Sequence, residues 1–193
     1  PEEAGGAVSA IIAAGITPAA IEMMDRLTIE AARDFAKAPY PDCGALLLVE
    51  LDGPAVEVAS SFADCEAICR AEGATEIVVA RDADERARLW KGRKGAFPAM
   101  GKVSPSYYVQ DGVIPRTRLP EVLRGIEALE REYGLRVGNV FHAGDGNLHP
   151  LVLYDAAVPG QAARASELAG RILDLCIEAG GSITGEHGVG QDK

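Results

Sequence analysis

The 193 residues predict an α+β fold, an antiparallel sheet of ferredoxin-like elements covered by helices. Two observations carry that prediction. Short aliphatic runs alternate with helix-periodic stretches, each bounded by turn residues, and the last two runs are joined by a loop suited to a hairpin. Residues 45–51 form an aliphatic run fit for a buried strand, closed by the turn residues Asp52-Gly53-Pro54. Residues 54–71 read as a helix with Val56, Ala59, Phe62, Ala63, Ile68 and Cys69 near one face and Gly73 as its stop. Residues 75–80 are a β-branched run and so a second strand. Residues 82–97 carry helical spacing and end against Pro98. Residues 106–110 read as extended. Residues 119–133, opened by Pro120 and ended by Gly134, form the clearest amphipathic helix. Residues 135–141 and 150–154 read as strands joined by a loop turning at Asp145-Gly146, and 159–179 as a long helix stopped by Gly180-Gly181.

With 48% hydrophobic and 25% charged residues, the chain supports one large core and is expected to be one unit. A formal charge of −10 repels other polyanions over a Debye length of about 8–10 Å, so nucleic acid and anionic lipid surfaces are disfavoured as partners and no nucleic acid is expected. Cys43, Cys65, Cys69 and Cys176 lack the paired CxxC spacing of a zinc ribbon and read as reduced core thiols. No run approaches the roughly 20 apolar residues that span a bilayer, and no basic-then-apolar segment opens the chain; the expected compartment is the cytoplasm. Opening at Pro1 and stopping at Gln191-Asp192-Lys193, just past its most glycine-punctuated motif, the chain is expected to be a piece of a larger protein.

All three histidines lie in the last third, in His142-Ala143-Gly144-Asp145-Gly146-Asn147-Leu148-His149 and Gly185-Glu186-His187-Gly188. If His142 and His149 flank a hairpin loop they can stand opposite one another, with Cβ atoms about 4.5–5.5 Å apart. Two imidazoles at that separation can share an ion about 2.0–2.1 Å from each nitrogen, with Glu186 as a third ligand and open positions left for a substrate. The competing reading makes both histidines surface residues of a hairpin and the glycines mere turn formers. In a regular strand His187 would point away from Glu186, so the two need a turn to face one site. The order Gly185-x-x-Gly188-x-Gly190 is neither a dinucleotide fingerprint nor a phosphate loop. Upstream, residues 86, 90, 93 and 97 follow a +4, +3, +4 stripe that places Arg93 beside Trp90 and Phe97 on a regular helix. An arginine so held suits bidentate pairing with a carboxylate; the alternative is a surface arginine whose stem covers Trp90.

The motifs Phe141-His-Ala-Gly-Asp-Gly-Asn-Leu-His-Pro150 and Gly181-Ser-Ile-Thr-Gly-Glu-His-Gly-Val-Gly190 resemble the C-terminal, or cap, half of FAD-linked oxidases of the vanillyl-alcohol-oxidase type. The resemblance is strongest to the branch of the glycolate oxidases and D-lactate dehydrogenases, with D-2-hydroxyglutarate dehydrogenase as a cousin. It extends over Ile21-Glu-Met-Met-Asp25, the stretch from Leu89 to Pro98, and Tyr107-Tyr-Val-Gln-Asp-Gly-Val-Ile-Pro115, hence nearly the whole chain. It implies FAD held mainly by an N-terminal domain outside these residues, and a divalent metal (zinc, manganese or iron) on His142, His149 and Glu186. It further implies His187 as the base that takes the hydroxyl proton and Arg93 as the carboxylate partner. The implied partners are a small 2-hydroxy acid oxidised to its 2-oxo acid, the N-terminal FAD domain, and an electron-accepting subunit or protein. Relatives acting on dicarboxylates carry polar groups near the positions of Phe97, Val109 and Leu151, and these apolar side chains imply a smaller or less polar acid. On this reading the isolated chain is expected to bind no FAD stoichiometrically and to be inactive. Two readings of another class stay open: a stand-alone metal-dependent hydrolase using the same ion to activate water, and a non-catalytic module docking a partner on its sheet.

Overall fold

Asp25 ends a strand and caps a helix. One carboxylate oxygen accepts from the Thr28 amide at 3.0 Å and the Thr28 hydroxyl at 2.9 Å, satisfying a donor that the first helical turn leaves free. The other oxygen takes the backbone and side-chain amides of Asn139, at 2.7 and 2.8 Å, from a neighbouring strand. A computed structural model of the chain describes residues 1–190 and 193, in the order α1 (Glu2–Ala13), β1 (Ala20–Asp25), α2 (Arg26–Ala36), β2 (Ala45–Glu50), α3 (Ala55–Ala71), α4 (Ala83–Lys94), α5 (Ala96–Val103), β3 (Ser106–Val109) and β4 (Gly112–Val113). A single 3-10 turn (Arg116–Arg118) then leads into α6 (Leu119–Tyr133), β5 (Val137–Phe141), β6 (Asn147–Leu148), β7 (Pro150–Tyr154) and α7 (Gln161–Glu178).

The α+β class is as expected: five strands form one sheet in the order β2-β1-β5-β7-β3, every neighbouring pair antiparallel, with β4 and β6 as a small second ladder. Side chains alternate across the sheet, so each face has its own core. On one face Ile21, Met23, Val137, Phe141 and Val152 pack with residues of α1, α6 and α7; on the other Met24, Val140, Leu151 and Leu153 pack with residues of α2 and α5. Among the described residues no helix is long and apolar enough to cross a membrane.

Three expectations are corrected. Residues 75–80 form no strand; Val78 and Val79 are 60% and 49% exposed, because β propensity builds a strand only where a ladder partner lies alongside. In α3 the inward side is offset from the expected one: Val56 is 83% exposed, while Cys65 is buried and Phe62, Ile68 and Cys69 are half-buried. The helix expected over 82–97 stops at Lys94, Gly95 caps it, and Phe97 and Pro98 belong to the first turn of α5, where a proline removes no intrahelical hydrogen bond.

Tyr40, between α2 and β2, fixes α4 against the second core. Its hydroxyl donates to Leu89 O at 2.5 Å and accepts from the Arg93 amide at 2.9 Å, and burial, partly offset by Arg93, pushes the phenol up to about 12, so the donor is retained. The ring lies directly on Gly92, where a Cβ would come within 2.3 Å of it. Gly92→Ala should therefore destabilise the fold by about 1–3 kcal/mol. Gly101→Ala, on an exposed part of α5 with nothing within 4 Å of the added methyl, should be neutral or stabilising by up to about 1 kcal/mol. Urea unfolding of the two variants checks this, and equal shifts would show that Tyr40 does not seat α4 on the glycine.

Candidate metal centre

His142 and His149 bracket the loop between β5 and β7. The ladder pairs Asn139 with Pro150 and bridges His142 to Asn147, so the two histidines are diagonal neighbours on one face rather than directly opposite. Aromatic side chains span that diagonal: the ring centroids are 5.2 Å apart and the rings meet edge to face. Both project to the face occupied by Val140, Leu151 and α5. Phe97 of α5 stands edge-on to His149 at 6.0 Å, and Val109 is the register partner of Leu151.

The terminal loop closes the site. Asp111, just past the end of β3 and wholly buried, accepts at a single oxygen from the backbone amides of Gly185 (2.9 Å), Glu186 (3.0 Å) and His187 (2.8 Å) and from the Thr184 hydroxyl (3.0 Å). Burial alone would raise this carboxyl, but the donors from the loop hold it well below the usual carboxylate range. The antiparallel bridge between Val113 and Ser182 ties the start of the same loop to β4. Gly185 has no room for a side chain, since a Cβ would lie 2.8 Å from Val113 Cγ2 and 2.9 Å from Asn147 Cγ. The bend at residues 185–187 supplies the turn that lets Glu186 and His187 face one centre.

Glu186 Oε1 lies 3.0 Å from His149 Nε2, 3.6 Å from His142 Nε2 and 3.8 Å from His187 Nε2. Two ligands each about 2.0–2.1 Å from a tetrahedral ion are separated by about 3.3 Å, so the first two distances are compatible with a shared cation. Ligand atoms of His142, His149 and Glu186 all lie within 4.8 Å of one another, as do those of Asp111, His149 and His187. The His187 ring stacks on His149 at 4.8 Å, tilted by 3°, and is about half exposed.

The donor chemistry suits a cation. His149 is 2% exposed, and neither of its ring nitrogens has a hydrogen-bond partner among the described residues. Burial, with smaller contributions from His142 and His187, lowers its pKa to about 4, so the imidazole is neutral and its lone pair available at neutral pH. His142 is placed differently: its Nδ1 is 2.9 Å from Glu22 Oε1, and that hydrogen bond raises its pKa.

Arg93 shares α4 with Arg86 and Trp90, but the predicted stripe does not continue to Phe97, because the helix ends at Lys94. It is buried on α4, with Nε donating to Glu22 Oε2 at 2.8 Å and Nη2 at 2.8 Å from the same oxygen but without hydrogen-bond geometry. Two residues of the site, Glu22 and Asp111, escape the sequence reading of candidate site residues. Glu22 leaves a signal, a carboxylate inside the otherwise apolar run Ile21–Met24. Asp111 precedes Gly112 and is indistinguishable from a turn residue.

Residues 1–193 match the family described as FAD linked oxidases, C-terminal domain. Over its whole length the chain is 56% identical to glycolate oxidase subunit GlcD of Escherichia coli strain K12 and 35% identical to the protein of that name in Bacillus subtilis, covering 39% and 41% of those proteins. It is 30% identical over 95% of its length to a probable mitochondrial D-lactate dehydrogenase of Danio rerio, of which it covers 37%. The chain thus spans about two fifths of the length of the curated relatives it matches. Among solved structures it is similar to 4-ethylphenol oxidase from Gulosibacter chungangensis, with a TM-score of 0.62, 14% identity, and coverage of 95% of this chain and 43% of that one. It is likewise similar to an alkyldihydroxyacetonephosphate synthase, with a TM-score of 0.61, 13% identity and coverage of 94% and 37%; at these identities the likeness concerns the fold. The chain belongs to the family of FAD linked oxidases, as their C-terminal domain.

Proposed function

We propose that the chain is the substrate domain of an FAD-dependent 2-hydroxy acid dehydrogenase or oxidase of the glycolate or D-lactate type, with a divalent metal held by His142, His149 and Glu186. One observation carries the reading. Of the seven buried side-chain polar atoms without a hydrogen-bond partner among the described residues, four belong to Arg93, Asp111 and His149. Buried polar groups are rarely left unpaired, and His149 Nε2 and Asp111 Oδ1, 3.6 Å apart and both without a hydrogen-bond partner among the described residues, point to a ligand that supplies one. The family and the glycolate oxidase and D-lactate dehydrogenase relatives supply the chemical class.

When bound, a divalent cation supplies Lewis acidity toward the substrate hydroxyl and a flavin supplies the hydride acceptor. The residues of this chain do the rest. Arg93 Nη2, buried and without a hydrogen-bond partner among the described residues, takes the substrate carboxylate and fixes the direction of the Cα hydrogen. His187, half exposed and 3.8 Å from Glu186 at Nε2, accepts the hydroxyl proton at that nitrogen. Phe97, Val109 and Leu151 pack in the apolar cluster beside His149 and offer no partner to a second carboxylate, so a small 2-hydroxy acid is preferred over a dicarboxylate. The remaining partners of this reading are an N-terminal FAD domain in the longer polypeptide and a protein or subunit that takes the electrons from the flavin.

The full-length protein stripped with chelator and refilled with zinc, manganese or iron should bind one ion per chain and oxidise D-lactate or glycolate only when refilled. His149→Ala should remove both the ion and turnover. Full activity in the stripped protein would contradict the metal reading, and absence of any 2-hydroxy acid oxidation would contradict the class. The 193-residue chain alone should purify colourless, and a stoichiometric flavin absorption band would overturn its assignment as the substrate domain.

Asp111→Asn removes the charge that gathers the terminal loop and should destabilise the chain by roughly 2–3 kcal/mol. Because the folded pKa of Asp111 is depressed, its contribution is fully present above the ordinary value of 3.8 and is lost as the pH falls through the lower folded value. Thermal unfolding across acid pH should accordingly show a flatter pH dependence for Asp111→Asn than for the unsubstituted chain, and parallel curves would contradict the assignment.

A further inference from the structure

We infer that Glu22 is a positioning residue that sets the tautomer of His142 and the orientation of Arg93 with one carboxylate, joining the ion-binding and carboxylate-binding halves of the site; this rests on the reading above. Glu22 sits on β1, 7% exposed, between the buried Ile21 and Met23. A carboxylate there would be strongly unfavourable without partners. It has two, and they divide its oxygens: Oε2 takes Arg93 and Oε1 takes His142 Nδ1. The Arg93 guanidinium, with Nε and Nη2 each 2.8 Å from Oε2, pairs the group as a carboxylate.

An ionised carboxylate only accepts hydrogen bonds. The 2.9 Å contact therefore requires the hydrogen of His142 on Nδ1, which leaves Nε2 of the neutral ring with a bare lone pair. Nε2 is the atom 3.6 Å from Glu186 Oε1, on the side where the proposed ion would be held. A ring in the other tautomer would present N–H to that position and could not ligate. On the other side, Glu22 occupies the Nε edge of Arg93 and offsets its charge, so that the guanidinium does not repel a cation held by the adjacent histidine. Substituting Gln keeps the shape of Glu22 but offers an NH₂ that can donate to His142 Nδ1, which permits the non-ligating tautomer.

Full-length protein, freed of divalent ions and labelled with ¹⁵N-histidine, tests this by long-range ¹H–¹⁵N spectra of His142 and by manganese titration. The unsubstituted protein should show His142 protonated at Nδ1. Glu22→Gln should shift the ring toward the Nε2–H form, weaken manganese binding by about 10–100-fold, and raise KM for the hydroxy acid by a larger factor than it lowers kcat. Glu22→Asp, which restores the carboxylate, should recover part of the affinity. An Nε2–H tautomer in the unsubstituted protein would overturn the inference, as would unchanged manganese affinity in folded Glu22→Gln. Should that variant not fold, the tautomer of the unsubstituted protein decides. Failure of the unsubstituted protein to take up any divalent ion would sink the metal reading itself, while the tautomer still judges Glu22.

Discussion

One oxygen of Asp111 gathers four donors from residues Thr184–His187 and thereby fixes a loop that is otherwise exposed from Gly185 to Gly190. A loop without an apolar anchor would sample many conformations, each with its own placement of Glu186 and His187. Charge-assisted hydrogen bonds to successive backbone amides orient the main chain itself, so the side chains that follow are aimed rather than merely tethered. The second oxygen of Asp111 lies 3.6 Å from His149 Nε2 and has no hydrogen-bond partner among the described residues. The same carboxylate that holds the loop therefore also faces the centre.

The sheet supplies the complementary half. Because side chains alternate along each strand, Glu22, His142 and His149 emerge on the face that also carries Met24, Val140 and Leu151. Phe97 and the apolar surface of α5 keep His149 out of water, and this burial is the main cause of its lowered pKa. A cation-binding histidine must be neutral, and here the neutral form follows from packing rather than from a hydrogen-bond partner. Glu22 does the opposite job for His142, leaving it more exposed but oriented.

The parts of this arrangement legible in the sequence are the local ones. Histidines spaced around Asp145-Gly146 declare a hairpin loop, and the bend between Gly185 and Gly188 allows adjacent Glu186 and His187 to face one point. The amphipathic stripe of α6 and the strands on either side of the histidine loop are where the pattern places them. What fails is whatever depends on register or on distant partners. Whether His142 faces His149 directly or diagonally is settled by the β5–β7 register. The stripe that sets Arg93 beside Phe97 assumes a continuous helix, and Gly95 interrupts it. The run at 75–80 has the composition of a strand but no ladder to join. Glu22 and Asp111 meet their partners 120 and 73 to 76 residues away, a juxtaposition that only the tertiary fold creates.

The central claim is that His142, His149 and Glu186 share one ion. An anomalous-difference map from crystals of the manganese-loaded protein tests it most directly. The account predicts a single strong peak per chain about 2.0–2.3 Å from Nε2 of both histidines and from a Glu186 carboxylate oxygen. A peak elsewhere in the domain, or a fully loaded crystal with no peak among these three side chains, would contradict it.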